Sequence, residues 1–163
     1  MPYRIVKVRR RMENKTDYGA RINLLKSGID RLIIRKTNRH IMMQVAKSKE
    51  AQDTVIVAAT SKELLKYGLS LKEGSSLKSI SAAYLTGYLI GTKMKKLKIT
   101  SAIADLGLAR STKGSRLYAA LKGVVDAGIA ISCDEKMFPS KERLNGKDMK
   151  NKIDIEAIKS KIK

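Results

Sequence analysis

Tryptophan is absent from this chain, and histidine, cysteine and phenylalanine occur once each among its 163 residues. Each scarcity closes a class of function. A single cysteine, Cys133, permits no intrachain disulfide and no cysteine-based zinc site. It agrees with a reducing, intracellular setting, and with no second cysteine or histidine cluster to activate it, Cys133 is expected to be small, buried and inert. The lone histidine, His40, has no Ser/Asp pattern near it and is not read as the base of a catalytic triad. Seven aromatic residues in total are too few for a reader of single strands that stacks bases on an aromatic platform. No apolar run approaches the length of a membrane span. No apolar stretch follows the basic N-terminus, so a secretory signal is not expected.

What the chain has in excess is positive charge. Lysine and arginine number 35 against 15 acids, for a net charge of +20. Such an imbalance points to a polyanionic partner, RNA or DNA. Residues 1–39 hold 12 basic and 3 acidic residues, and residues 136–163 hold 9 and 4; the intervening 96 residues hold 14 and 8. The ends are denser in charge than the middle, the pattern of a folded body, 29–135, between a basic N-terminal arm with a short helix, 1–28, and a basic C-terminal tail, 136–163. The hydrophobic fraction of 43% is enough for a core, which separates the chain from disordered polycations.

The order of elements predicts a mixed α/β body. Met1–Lys15 has little apolar periodicity and is expected to order only on a partner. A helix is expected from Thr16 to Lys26, capped by Thr16 or Asp17, with Tyr18, Ile22 and Leu25 on one face and Gly28 at its end. The β-rich runs 31–36, 40–46 and 54–59 predict an antiparallel meander. The polar stretch 47–53 separates the last two; Lys62–Tyr67 adds a helical turn, and Gly68–Ser79 reads as an exposed loop. A long helix runs from Ser79 or Ile80 to about Leu97. Its Gly87 and Gly91 share a face with Ala83, which suggests close approach to the sheet. Strand 102–106, helix 113–127 and strand 129–131 form a strand–helix–strand unit, hence a parallel pair with a right-handed crossover. Leu117, Ala120, Leu121, Val124 and Val125 form the buried stripe of that helix. Beyond Phe138-Pro139 the tail is mostly charged, with a weak helical pattern at Ile153–Ile162.

Little in this pattern is catalytic. Asp105 ends a predicted strand, where α/β enzymes place carboxylates, but no compact acidic cluster accompanies it; it is expected to bond loop amides or a nearby Lys or Arg. The stretch 107–115 fails as a P-loop, because Thr112 rather than glycine precedes Lys113 and Gly114 follows it. Helix N-terminal amides with Lys113 and Arg116 could still hold a phosphate; the plainer reading is a capped helix with a solvated basic edge. Arg9-Arg10-Arg11 and Lys15 suit phosphates. Tyr18 suits base stacking or core packing equally. Arg35-Lys36-Thr37-Asn38-Arg39 suits RNA, or a sheet edge guarded by charge. His40, beside the same turn, is structural or an RNA contact. Two rivals remain: a nonspecific basic nucleic-acid-binding protein, and an RNA-processing enzyme using Asp105.

Several stretches in fixed order carry a more specific likeness. They are Lys15–Tyr18 with Leu24–Gly28, Arg31–His40, Ala82–Gly87, Asp105–Leu108, Thr112–Gly123, Asp126–Gly128 and Phe138–Arg143. Together they resemble the archaeal and eukaryotic type of the large-subunit ribosomal protein L-eighteen family, over most of residues 7–149. Ala109-Arg110-Ser111 stands where the family often has prolines, Ser79-Ile80-Ser81 where it has Asn-Thr-Pro, and its usual tryptophan is missing; residues after about Met149 match nothing in it. The resemblance implies a body of the ribonuclease-H-like-motif type without that enzyme's catalytic acids, no enzymatic activity, no cofactor and no metal. It implies a cytoplasmic structural protein that anchors 5S ribosomal RNA to 23S RNA in the central protuberance beside ribosomal protein L-five. RNA contacts are then expected at Arg4, Lys7, Arg9, Arg10, Arg11, Lys15, Tyr18, Arg21, Arg35, Lys36, Thr37, Asn38, Arg39, His40, Thr112, Lys113, Ser115 and Arg116.

Overall fold

The computed structural model describes residues 9–50, 52–69, 76–146 and 153–162. Arg4 and Lys7, and residues 70–75 of the expected loop 68–79, lie outside them. The expected class holds: a five-stranded mixed sheet with helices packed on it. Strands β1 (Arg31–Lys36), β2 (Ile41–Lys49) and β3 (Gln52–Thr60) make the antiparallel meander. β4 (Ser101–Asp105) lies parallel to β1, and β5 (Ala130–Ile131) parallel to β4, giving the order β3-β2-β1-β4-β5. The last two strands are displaced by a residue from their expected starts.

Alternation along β1 and β2 decides which face is core. Leu32, Ile34, Ile41, Met43 and Val45 are buried, each contributing roughly 1.5–3 kcal/mol when removed from water. Two helices cover this face, α3 (Ile80–Lys96) and α4 (Arg116–Asp126). Ser79 caps α3 by accepting the Ala82 N–H at 3.1 Å, and Lys93, Lys95 and Lys96 complement its C-terminal dipole. In α4 the stripe Leu117, Ala120, Leu121 and Val124 is buried as expected, whereas Val125 is half-exposed. That helix begins at Arg116, not at 113: Thr112 and Lys113 lie in the turn ahead of it.

The glycines of α3 do face a close neighbour, but it is α4 and not the sheet. A Cβ on Gly87 would sit 1.9 Å from the Ala120 carbonyl oxygen, and one on Gly91 2.4 Å from the Ala127 Cβ. Gly123 of α4 answers from the other side, where a Cβ would meet the Tyr84 carbonyl oxygen at 2.1 Å. The two backbones touch, and only glycine permits it.

Four further expectations are corrected. Arg9–Met12 forms a short helix, α1, held by the Glu13 N–H to Arg9 O and Lys15 N–H to Arg10 O bonds; this part of the arm is ordered within the chain itself. Helix α2 (Tyr18–Lys26) is capped by Asp17, as one of the two candidates, but buries none of its residues, and Ile22 is 52% exposed. Its apolar face is not a core stripe. The polar stretch 47–53 is ladder rather than loop: Lys47 pairs with Thr54, Ser48 with Asp53 and Lys49 with Gln52. The outcome is a long β2–β3 hairpin with a bulge, where Val45 and Ala46 face Val57 and Val55 and leave Ile56 as the extra residue. Cys133 is half-buried rather than buried, and burial, then the neighbouring Asp134, push its thiol pKa up.

After α5 (Lys141–Leu144), the weak pattern at the C-terminus becomes helix α6 (Ile155–Ile162). Ile155, Ile158 and Ile162 are buried on α3 and the 63–67 turn. The Lys159 ammonium lies over the rings of Tyr84 and Tyr88, at 4.7 and 5.3 Å, a cation–π contact.

The α3–α4 contact predicts opposite effects of one chemical change. Gly87→Ala and Gly123→Ala should each lower stability by about 3 kcal/mol, since a backbone oxygen cannot yield as a side chain can. Gly19→Ala, in α2 with Asp17 Oδ1 at an ordinary 3.4 Å from the added Cβ, should raise it by up to about 1 kcal/mol. Thermal unfolding followed by circular dichroism reads all three; a tolerated Gly87→Ala would refute the close approach.

Candidate nucleic-acid interface

The carboxyl ends of the parallel strands β1 and β4 lie side by side, with Ile33 opposite Asp105. In open α/β sheets ligands gather beyond such ends. Here the end of β1, just ahead of the β1–β2 turn (37–40), meets the loop after β4 and the arm ahead of α2. Between arm and sheet is a cleft of about 460 Å³. Arg10, Lys15, Arg21, Arg31, Arg35 and Lys36 line it against Asp17, Asp53 and Asp105, and Leu24, Ile33, Leu106 and Leu108 supply apolar wall.

Asp105 and Arg31 organise the floor. Arg31 is 2% exposed, and a buried cation must be paired. Its Nη1 meets Asp105 Oδ2 at 3.1 Å and its Nη2 meets Asp53 Oδ1 at 2.7 Å and Ser48 Oγ at 3.1 Å. Asp105 Oδ1 accepts from Arg35 Nη2 at 2.9 Å and from the Gly107 N–H at 2.9 Å. Arg35 Nη1 donates to the Asp105 carbonyl at 2.8 Å. Asp53 Oδ2 takes Arg21 Nη2 of α2 at 2.7 Å. The result is an alternating chain, Arg21–Asp53–Arg31–Asp105–Arg35, crossing from α2 through the sheet. Asp105 thus binds both a loop amide and arginines, as expected, and neither of its oxygens is available as a base.

The sequence-predicted residues fall into distinct groups. Arg10 donates from Nε to Thr16 Oγ1 at 2.9 Å, while Arg9 and Lys15 share Glu13 at 3.5 and 2.8 Å. These exposed pairs hold their partners weakly and can exchange them for phosphate. Arg11 has no ion pair among the described residues. Tyr18, the first residue of α2, is half-buried. Arg21 and Arg35 are committed to carboxylates. In the turn, Thr37 Oγ1 donates to the His40 carbonyl at 2.7 Å and accepts from the His40 N–H at 3.0 Å, so Thr37 builds the turn that presents Lys36, Asn38 and Arg39, all exposed. His40 is half-buried and its Nδ1 has no partner among the described residues.

Thr112 and Lys113 are exposed ahead of α4, where the Gly114 N–H donates to Met137 O at 2.9 Å. Ser115 takes the cap position of α4 without a side-chain cap bond. Arg116 borders a separate cleft of about 280 Å³ with Lys78, Ser79 and Arg143. The structure therefore does not bring Arg116 into the arm–sheet cleft. Sequence reasoning missed Arg31 and Asp53. Arg31 carries a faint signal, a cation on the same strand face as Ile33 and Arg35; Asp53 carries none, because its two arginine partners lie 32 and 22 residues away.

The comparisons with known proteins speak to what this basic face serves. A family profile described as "Ribosomal large subunit proteins 60S L5, and 50S L18" matches residues 3–103 and 92–134. A large ribosomal subunit protein uL18 of Korarchaeum cryptofilum is 50% identical over 141 residues, 86% of this chain and 70% of the relative. That of Methanoculleus marisnigri is 47% identical over 89% of this chain and 81% of its own. That of Thermoplasma volcanium is 40% identical over 93% of both. The chain belongs to the uL18 family. It is a structural constituent of the large ribosomal subunit, of archaeal type. uL18 proteins are structural and not enzymes, which sets aside the reading of Asp105 as a catalytic acid. No helix among the described residues is long and apolar enough to cross a membrane, and among them no group of three or more His, Cys, Asp or Glu could hold a metal ion.

The same network makes stability depend on pH. Burial pushes the Asp53 pKa up, but hydrogen bonds from Ser48 and Arg31 and the charges of Arg31 and Arg21 outweigh it and hold the pKa below the ordinary 3.8. A depressed folded-state pKa stabilises above the unfolded value and loses that effect as pH falls through the folded value. Melting temperature should therefore decline as pH drops below about 4, and Asp53→Asn should lose part of that decline. An identical acid profile in the variant would contradict the assignment.

Proposed function

We propose that this uL18 protein binds 5S ribosomal RNA and anchors it to 23S RNA in the central protuberance of the cytoplasmic large subunit, beside ribosomal protein L-five. The observation that carries the RNA-binding part is the gathering of exposed, weakly paired cations on one edge. Arg10 and Lys15 of the arm line the same cleft as Lys36 at the end of β1, with Arg9 and Arg11 beside Arg10 in the arm and Asn38 and Arg39 following Lys36 into the β1–β2 turn. Tyr18, the first residue of α2, follows the arm directly. Arg4 and Lys7 extend the run of basic residues toward the N-terminus in sequence. Thr112, Lys113, Ser115 and Arg116, at the start of α4, form a second basic point, suited to a separate phosphate.

The mechanism is neutralisation of phosphates with release of counterions, on a body rigid enough to set register. Arg21, Arg35, Thr37 and His40 belong to the interface chiefly as supports, since their polar groups are already engaged or half-buried. The alternative, a nonspecific basic nucleic-acid binder, is disfavoured because the chain matches the uL18 family along most of its length.

Binding of the purified chain to an archaeal 5S RNA transcript across a salt series, with transfer RNA and duplex DNA as competitors, tests this. Preference for the 5S transcript should survive moderate salt. Replacing Arg9, Arg10 and Arg11 by alanine should weaken binding and flatten the salt slope by roughly 0.7–0.9 for each phosphate left without its cation. Equal, salt-labile binding to all three nucleic acids would refute the 5S reading.

A further inference from the structure

A surface suited to phosphate has no electrostatic use for acids, yet Asp53 and Asp105 stand in the arm–sheet cleft. Asp105 is a local strut within the sheet. Asp53 joins α2 to the sheet. One of its oxygens holds Arg31, whose side chain is 3% exposed, and the other holds Arg21 of α2, each at 2.7 Å. Helix α2 has need of that tie, since none of its nine residues is buried. Arg21–Asp53 is the only ion pair between α2 and the sheet among the described residues. Ser48, across the ladder, donates to the same carboxylate, so the hairpin tip presents Asp53 in one orientation.

We infer that Asp53 is a positioning residue for RNA binding: through Arg21 it clamps α2, and with it the arm, to the buried Arg31, so that the arm's cations face the RNA ready-ordered. This rests on the RNA-binding reading above. The inference has a sign opposite to that of simple charge. Neutralising an acid in a chain of net charge +20 should by Coulomb's law tighten binding to a polyanion. If Asp53 positions the arm, its neutralisation weakens binding, because α2 and the arm must then be ordered at the moment of association.

The test compares Asp53→Asn and Asp53→Glu with Glu50→Gln, which removes the same charge from the same hairpin tip outside the network. All are titrated with the archaeal 5S transcript. Asp53→Asn is expected to bind roughly fivefold more weakly, from the ordering cost restored to association; Asp53→Glu recovers most of the affinity, and Glu50→Gln binds as tightly as the parent or tighter. In a background with Arg4, Lys7, Arg9, Arg10, Arg11 and Lys15 replaced by alanine, Asp53→Asn has little further effect, because no basic residue ahead of α2 is left to position; a merely structural role would add independently. Hydrogen exchange completes the comparison: α2 amides exchange faster in Asp53→Asn while β1 amides keep their protection. Unchanged or tighter binding by Asp53→Asn, additivity in the cycle, or loss of protection throughout β1 would overturn the inference and leave the RNA reading standing. Failure of the unaltered chain to prefer the 5S transcript would sink the RNA reading itself.

Discussion

The tightest constraint in the molecule is the packing of α3 on α4. Where Gly87 faces Ala120 and Gly123 faces Tyr84, there is no room for a single methyl group. Backbones this near can lie over one sheet face as a unit. The position of α4 then fixes where its first turn points, and the crossover from β4 to β5 has one length to span. The loop after β4 and the start of α4 are held at the carboxyl edge by this packing, without reference to any ligand. The buried residues on β1 and β2 complete the layer from below.

Charge is organised on the opposite principle. The core-facing side of the sheet is apolar, and the other side holds the buried Arg31 between two acids drawn from β3 and β4. Taking an arginine out of water is unfavourable unless its fork is filled. Two carboxylates and a serine hydroxyl fill most of it, and its Nε remains without a partner among the described residues. Lysine would be a poor replacement, because its three donors radiate from one nitrogen and lack the planar spread with which the guanidinium reaches acids on different strands. The exposed cations nearby are of another kind, paired loosely with Glu13 or with nothing. One small region therefore holds structural arginines and available ones, and composition alone counts them alike.

That distinction marks how far the sequence could be read. The strands β1 and β2 and the stripe of α4 were legible because each buries one face and repeats with its own period, β3 from its β-branched run, and α3 as a long apolar stretch buried all round. The glycines of α3 announced a close approach, but a glycine does not say what approaches it; the partner is a helix well downstream, at Ala120 and Ala127. Tyr18, Ile22 and Leu25 had helical spacing and no core to meet, so periodicity there predicted the helix correctly and its burial wrongly. Asp53 was hidden in a polar stretch that resembled a loop and is in fact strand. At Asp105 local pattern sufficed, since a carboxylate two residues before a glycine at a strand end readily bonds the loop amide, and Arg35 lies on the neighbouring strand. Which of the many basic residues are engaged internally depends on long-range pairings, and no window of sequence contains them.

The outer edge of β3 carries a consequence of a different sort. Lys93 reaches from α3 to donate to the Ala58 carbonyl at 2.9 Å and to Glu63 at 2.6 Å, while Glu63 accepts the Thr60 N–H at 2.9 Å. An edge strand with free amides and carbonyls is a template for a second copy. Here the end of the strand nearest the core is already occupied by side chains, and the bulge at Ile56 breaks the regular spacing of the rest. Mutual repulsion between chains this cationic adds to both. Freshly made protein, at high concentration and before any polyanion has covered it, is thereby kept from stacking edge to edge into fibrils, a hazard that arises during synthesis and has nothing to do with what the finished surface recognises.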